Sequence, residues 1–310
     1  KVDTRTRRMI SLNETEYNIT YFNNEVVNHK YNVITFVPKS FLIQFSRLAN
    51  IYFFVSAVIQ SIPIISPLTG ATAIVPLIIV LAVSMIRELI EDLGRHSFDK
   101  MNNEETVEVY ENGQFIEKNS EDIRIGEIII IKDNHPVPAD TIILDSSLND
   151  GVCYVETSSL DGEKAFKQKV ASKCTRGIFY NKCDKGKKDV EYLSNFEFKG
   201  ECTCDHPNSD LNKFDGKITL AYGYSDQDFP LSTSQLLLKG SILKHTEWVV
   251  GFVCYTGLNN KIILNSKSPR VKVSKIENNM NKFLIGIFIF QVVLCAICAV
   301  SHNSQFKKNK

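Results

Sequence analysis

Asp161-Gly162-Glu163-Lys164 gathers two carboxylates and an ammonium around one glycine. An Asp-Gly pair supplies the positive φ of a tight turn, so the tetrapeptide alone reads as a turn in a β-rich region; the competing reading makes it the place where the chain does chemistry. A second set, Cys174, Cys183, Cys202, Cys204 and His206, shares one window and invites a zinc reading. Its Cys-x-Cys spacing is tighter than the gap of about two to four residues in structural zinc sites, so these residues read as loop thiols and no metal is expected. A third set, Asn50, Gln60 and Ser61, is polar inside a long apolar stretch, where polar groups are functional candidates by default.

The elements that must position these residues are marked by charge. The 310 residues include 36 Lys plus Arg against 35 Asp plus Glu, and 44% are hydrophobic. That leaves room for one or two domains with a real core, and the near-zero net charge argues against a nucleic-acid partner. Mean hydropathy of -0.09 resembles a soluble protein, but the average hides local extremes. No charge falls between Arg47 and Arg87, a gap of about 39 positions, roughly twice the ~20 residues one membrane helix requires. The pattern predicts a transmembrane hairpin over residues 41–90. Its first span ends near Val58 to Pro67, where Pro63 and Pro67 interrupt, and its second runs from about Gly70 to Ile86. A third charge-free run, residues 283–300, is predicted as another span. Lys1 to Lys39 is polar, which puts the hairpin too far inside the chain for a cleaved leader.

Basic residues beside the spans set the orientation. Arg5, Arg7, Arg8, Lys30, Lys39 and Arg47 precede the hairpin, and Arg87 and Arg95 follow it, so residues 1–40 and the region after the hairpin are expected in the cytoplasm. Gln60 and Ser61 then fall near the outer end of the first span. Lys307, Lys308 and Lys310 in the tail, residues 301–310, run against the rule.

Residues 91–282 are polar and β-prone. Short runs, Glu105 to Tyr110, Glu127 to Lys132, Thr141 to Ser146, Cys153 to Thr157, Lys217 to Tyr224, Ser234 to Gly240 and Trp248 to Gly257, recur between turn signals, as in a sandwich or barrel-like domain. Residues 173–215 are the least patterned and read as an excursion from this core. The fold class expected is membrane α-helices plus a β-rich cytoplasmic domain. Its cysteines, facing the cytosol, should be reduced.

Hairpin, β domain with an Asp-Gly-Glu turn, then a span: this order resembles the N-terminal part of a P-type ATPase, and the wording resembles the type IV group, the phospholipid flippases. The resemblance rests on KYNVITFVPKSFLIQFSRLANIYFF (Lys30 to Phe54), ELIEDLGRHSFDKMNN (Glu88 to Asn103), VPADTIILDSS (Val137 to Ser147), CYVETSSLDGEKAFK and the segment Gln235 to Asn281. It implies that residues 91–282 are an actuator domain, whose loop swings onto an aspartyl phosphate formed elsewhere. Glu163 would then orient and deprotonate the attacking water, Gly162 would let the backbone approach the phosphate, and Asp161 would shape the turn. Lys164 departs from the family, which has Thr there, and Ala165-Phe166 replaces Asn-Leu. Gln60 and Ser61 match a position that often reads Gln-Gln in aminophospholipid flippases and meets the lipid headgroup; Asn50 would line the same path or face a neighbouring helix. Segments Arg87 to Asp99 and Lys261 to Asn281 would serve as levers between actuator and spans.

The resemblance also implies Mg2+ and ATP as cofactors, an aminophospholipid substrate, a glycosylated accessory subunit of two spans, and residence in Golgi, endosome or plasma membrane. Asp-Lys-Thr-Gly-Thr, whose Asp is phosphorylated in the family, does not occur in the sequence. The expectation is therefore the N-terminal piece of a flippase, with a non-catalytic, membrane-anchored regulatory module as the alternative.

Overall fold

The computed structural model describes residues 7–13, 18, 23–62, 70–111, 113–176, 200–220, 228–266 and 275–308. It divides into two units: Lys1–Val27 with Phe98–Ser268, and Asn28–Ser97 with Pro269–Lys310.

The first unit is built of antiparallel strands. In chain order they are β1 (Arg8–Leu12), β2 (Thr106–Glu111), β3 (Gln114–Asn119), β4 (Ile128–Lys132), β5 (Asp140–Ser146), β6 (Val152–Glu156), β7 (Lys167–Val170), β8 (Gly200–Cys204), β9 (Gly216–Leu220), β10 (Asp228–Leu231), β11 (Leu236–Leu237), β12 (Ile242–Lys244) and β13 (Trp248–Tyr255). They form a six-stranded sheet ordered β11-β5-β13-β4-β2-β3, a four-stranded sheet β1-β8-β9-β10, and a three-stranded sheet β12-β6-β7. The β-prone runs of the sequence each contain a strand.

The Ile128 to Ile131 run shows why three sheets stack. Successive side chains of a strand point to opposite faces, and all four isoleucines are buried. Ile128 and Ile130 join Ile142, Val250 and Phe252 in one core, together with Ile10, Cys202 and Ile218 of the four-stranded sheet. Ile129 and Ile131 join Ile143, Val249 and Val253 in the other, together with Cys153, Val155 and Leu243 of the three-stranded sheet. Both faces of the central sheet are thus covered, at about 1.5–3 kcal/mol for each fully buried aliphatic side chain. β13 pairs with β4 on one side and β5 on the other, with a register shift between Val250 and Gly251. A Cβ at Gly251 would stand 2.6 Å from Ile142 O and Thr141 Cγ2, so the shift requires glycine.

Six strands lie outside those runs: β3, β7, β10 and β12 fall between them, and β1 and β8 lie in segments read as the N-terminal stretch and the excursion. β8 falls inside the excursion read over 173–215, and it pairs with β1 from Arg8↔Cys204 to Leu12↔Gly200. Cys202 and Cys204 accordingly point into the core. Cys183 lies outside the described residues, and among those described no group of three His, Cys, Asp or Glu is arranged to hold a metal.

The second unit is helical: α1 (Val33–Gln44), α2 (Leu48–Gln60), α3 (Gly70–Asn103, whose last residues belong to the β unit) and α6 (Lys275–Lys308). Short α4 (Ser158–Asp161) and α5 (Lys261–Asn265) belong to the β unit. The entry into the expected first span is bent: α1, most of which precedes residue 41, and α2 meet at 87°. Side chains make the break stable, because Asn50 Nδ2 donates to Gln44 O at 2.7 Å and Ser46 Oγ to Ile43 O at 2.7 Å, satisfying carbonyls that an uninterrupted helix would have used. Among the described residues one helix is long and apolar enough to cross a membrane by itself, Asn278–Ser301, with mean hydropathy 2.8; the bent pair α1–α2 passes only when taken together. The hairpin's loop, residues 63–69, lies outside the described residues, and α3, which holds the second expected span, is not among the helices that pass.

Candidate functional site

The Asp-Gly-Glu stretch leaves the end of β6, whose Cys153 and Val155 are anchored in the core. Residues Ser158–Asp161 make one helical turn, closed by Gly162 in the left-handed region at φ 78°. Nothing lies within 4 Å of where a Cβ at Gly162 would stand. Within this chain the glycine is demanded by its φ rather than by crowding, and the side facing outward is open.

Asp161 holds the turn from inside. Its Oδ1 accepts the Glu163 N–H at 2.9 Å, and its Oδ2 accepts from Thr157 Oγ1 at 2.9 Å and from Lys167 Nζ at 2.5 Å. The Lys167 ammonium also pairs with Glu163 Oε2 at 3.0 Å. The hydrogen bond from Lys167, then that from the Glu163 amide, pulls the Asp161 carboxyl down to about 2. Reciprocally, its bonds to Asp161 and Glu163 raise the Lys167 ammonium above its ordinary value. One lysine thus fixes both carboxylates of the loop, the Asp tightly and the Glu through an ion pair with the Glu side chain 63% exposed. Ser159 Oγ donates to Gly240 O at 3.3 Å, and the Phe166 ring meets His245 edge-on at 5.0 Å, tying the loop to the approach and exit of β12. Lys164 is exposed.

The chemistry available is that of an exposed carboxylate on a rigid mount. A group held within hydrogen-bond reach of a water can accept its proton, and the mount removes most of the orientational entropy of that step. Thr157 and Lys167 were not singled out in the sequence. The signal available for Lys167 was its position four residues after Glu163 and six after Asp161.

Beneath this loop the same unit carries a buried polar hub. Asp140 accepts the Lys239 N–H at 2.9 Å and the Lys261 N–H at 2.7 Å, while its own N–H donates to Asn260 Oδ1 at 3.0 Å. The Lys261 ammonium donates to Asn208 Oδ1, Asp210 O and Lys213 O at 2.7–3.0 Å. Asn24, from the N-terminal segment, donates to Ser120 O and Pro138 O and accepts from Lys239 Nζ at 3.1 Å. Burial raises the Asp140 carboxyl to about 6 against the pull of those amides and lysines, and burial likewise lowers Lys239 to about 8.

The lipid-path candidates belong to the helical unit. Gln60 lines a cavity of about 660 Å3 with Tyr52, Ser56, Phe288, Gln291 and Cys295. Ser61 caps α2, with its Oγ on Ala57 O at 2.8 Å, and Asn50 is buried in the α1–α2 break. The structure therefore brings Asp161, Gly162 and Glu163 together, and sets Gln60 apart from Ser61 and Asn50 in what each contacts.

Residues 101–206, which contain the whole clamped loop, match the P-type ATPase actuator domain. Within the β unit, residues 101–206 are thus an actuator domain of the P-type ATPase kind. Residues 10–74 match the phospholipid-translocating ATPase N-terminal family. The phospholipid-transporting ATPase DRS2 of Saccharomyces cerevisiae is 36% identical over 299 residues, 95% of this chain and 21% of that protein. The human phospholipid-transporting ATPase IC is 36% identical over 282 residues, 91% of this chain and 21% of its own length. The mouse phospholipid-transporting ATPase FetA is 34% identical over 298 residues, covering 96% and 24%. The chain belongs to the phospholipid-transporting P-type ATPases and corresponds to their N-terminal portion, spanning between a fifth and a quarter of the length of these relatives.

Proposed function

We propose that the chain is the N-terminal part of an ATP-driven flippase that moves aminophospholipid from the outer or lumenal leaflet to the cytoplasmic one, with Glu163 serving hydrolysis of the aspartyl phosphate. The observation that carries this reading is the exposed Glu163 carboxylate on a turn clamped by Asp161 and Lys167. In the hydrolytic step, water attacks phosphorus, the bond from phosphorus to the aspartyl oxygen breaks, and the water proton passes to Glu163. Asp161 stays ionised and positions the Glu163 amide. ATP and Mg2+ belong to parts of the flippase other than the residues described, and supply the phosphoryl group and its charge neutralisation.

On the same reading the hairpin crosses the membrane, the β unit is cytoplasmic, and Gln60 contacts the lipid headgroup. Asn50 and Ser61 support that path by shaping α2. A two-span glycosylated accessory subunit is the partner, in Golgi, endosome or plasma membrane.

Glu163→Gln in the flippase tests the reading. General-base loss should slow phosphoenzyme hydrolysis by about 10²–10⁴-fold, so radiolabelled phosphoenzyme accumulates while its formation is unchanged. Hydrolysis at the parental rate would sink the assignment. A second reading, a membrane-anchored regulator without catalysis, is favoured by Lys164 in place of the family's Thr. It requires that Glu163→Gln change nothing in turnover while binding to a complete pump persists.

A further inference from the structure

The loop that carries Glu163 runs from residue 157 to residue 166, between β6 and β7. A two-residue hairpin sets its own geometry through its turn type, whereas a loop of this length takes its shape from what its side chains touch. The entry half is held by the Asp161 bonds and by Ser159, whose Oγ donates to Gly240 O at 3.3 Å. Leu160 packs over the same glycine, its Cδ2 3.7 Å from where a Gly240 Cβ would stand. The exit half, Lys164 to Phe166, is exposed, and the Phe166 ring ties it down by meeting His245 at 5.0 Å and 78°, within the edge-on range that aromatic pairs prefer.

Gly240 and His245 flank β12. β12 pairs with β6 from Ile242↔Glu156 to Lys244↔Tyr154, and β6 pairs with β7 on its other side. Phe166 immediately precedes β7, one edge of this sheet, and His245 immediately follows β12, the other edge. The ring contact therefore reaches across β6, the strand that leads into the loop. One short strand, about 10 Å long at ~3.3 Å per residue, carries an anchor for each half of the loop. The turn bearing His245 is itself fixed: Thr246 is buried, and its Oγ1 accepts the Tyr154 N–H at 3.2 Å and donates to Lys244 O at 3.0 Å. His245 takes φ 53°, a left-handed value that histidine and asparagine reach more readily than most non-glycine residues.

Phe166 adjoins Lys167, the cation shared by Asp161 and Glu163. Where the Phe166 ring sits sets where the Lys167 backbone begins, and with it the reach of the ammonium onto Glu163. The leucine that the family carries in place of Phe166 has no aromatic ring to offer His245. We propose that His245 is a positioning residue for phosphoenzyme hydrolysis: through Phe166 and Lys167 it holds the Glu163 carboxylate at the angle from which it takes the water proton. The inference rests on the reading of Glu163 as that base, and the experiment separates the two.

In the full flippase, formation and hydrolysis of radiolabelled phosphoenzyme are timed for the parent, Glu163→Gln, His245→Asn, Phe166→Leu, Phe166→Tyr, and His245→Asn combined with Phe166→Leu. Asparagine keeps the left-handed turn and deletes the ring. His245→Asn and Phe166→Leu should each slow hydrolysis about threefold to tenfold, and the combined variant should be no slower than either alone. Phe166→Tyr, which keeps the ring, should keep most of the rate, and formation should be unchanged throughout. Formation falling in step with hydrolysis would mean a merely structural role, and the proposal falls. Losses that multiply in the combined variant would mean that the two rings do not act through each other, and it falls again. Parental hydrolysis in His245→Asn beside a slow Glu163→Gln overturns this inference alone. Should His245→Asn not fold, Phe166→Leu decides in its place, since parental hydrolysis there is equally fatal. Parental hydrolysis in Glu163→Gln overturns the base assignment, and this inference with it.

Discussion

Asp161 and Asp140 each hold a turn of the β unit by accepting backbone N–H groups: Glu163 N at 2.9 Å in the first case, Lys239 N and Lys261 N at 2.9 and 2.7 Å in the second. Their surroundings differ, and so does the sign of the effect. Asp161 lies at the surface beside the Lys167 ammonium, and its carboxyl falls to about 2. Asp140 is wholly buried, and desolvation lifts it to about 6 although amides and two lysines oppose this. The same bonding pattern therefore serves two ends. At the surface it keeps a charge fixed and available, so that the neighbouring Glu163 is presented at a constant angle. In the interior it stitches the turn before β12, the start of β5 and the start of α5 together, at the cost of an acid that resists ionisation.

The largest test of this contrast is the pH dependence of the interior hub. An acid whose folded pKa is raised binds its proton more tightly when folded, so Asp140 makes the fold lose stability as pH rises from about 4 to about 6. The difference between 3.8 and about 6 corresponds to about 3 kcal/mol, or about 150-fold. Asp140→Asn carries no titrating proton and keeps one acceptor. Relative to the parent, its β13 amides should gain up to about 150-fold in hydrogen-exchange protection between pH 4 and pH 7, after correction for intrinsic exchange and a constant penalty for the lost acceptor. A variant-minus-parent difference that is flat across this window would show that burial does not govern Asp140.

Next in size is the surface clamp. Lys167→Ala removes the cation shared by Asp161 and Glu163. The Asp161 carboxyl should titrate upward from about 2 toward its ordinary value, as read by carbon-detected NMR. Phosphoenzyme hydrolysis should fall about tenfold to a hundredfold, because a small misplacement of a positioned base carries that penalty. Lys167→Arg should recover most of the rate. Loss of rate with Asp161 still titrating near 2 would mean that Lys167 acts on something other than the turn.

These two sites were unequally legible in the sequence. Asp161, Gly162 and Glu163 are contiguous, and the positive φ at Gly162 is what an Asp-Gly pair announces. The strands of the central sheet other than β3 were legible too, because runs such as Ile128 to Ile131 carry their own signal. The hub was not, since Asn24, Asp140 and Lys261 meet across more than a hundred residues of chain and each reads as an ordinary polar residue alone. β1 and β8 escaped for a related reason: five residues with Ile10, Leu12, Cys202 and Cys204 pointing inward become a strand only by pairing with each other. The α1–α2 bend was hidden because no proline or glycine marks it, and Ser46 and Asn50, which satisfy its carbonyls, each read alone as an isolated polar residue.

The smallest expected effect concerns Lys164, the residue that departs from the family. It is exposed, and exposed charge pairs contribute about 0–1 kcal/mol, screened by salt. If Lys164 only attracts the phosphoenzyme's negative charge, Lys164→Thr should change the hydrolysis rate by no more than about fivefold at low ionic strength. That difference should vanish as salt is raised, because the interaction runs through solvent. A larger change that persists in high salt would mean that Lys164 touches the phosphate or displaces Glu163. The contrast between an interior Asp that stabilises and a surface Asp that presents would then need a third member, a lysine that takes part in the reacting group itself.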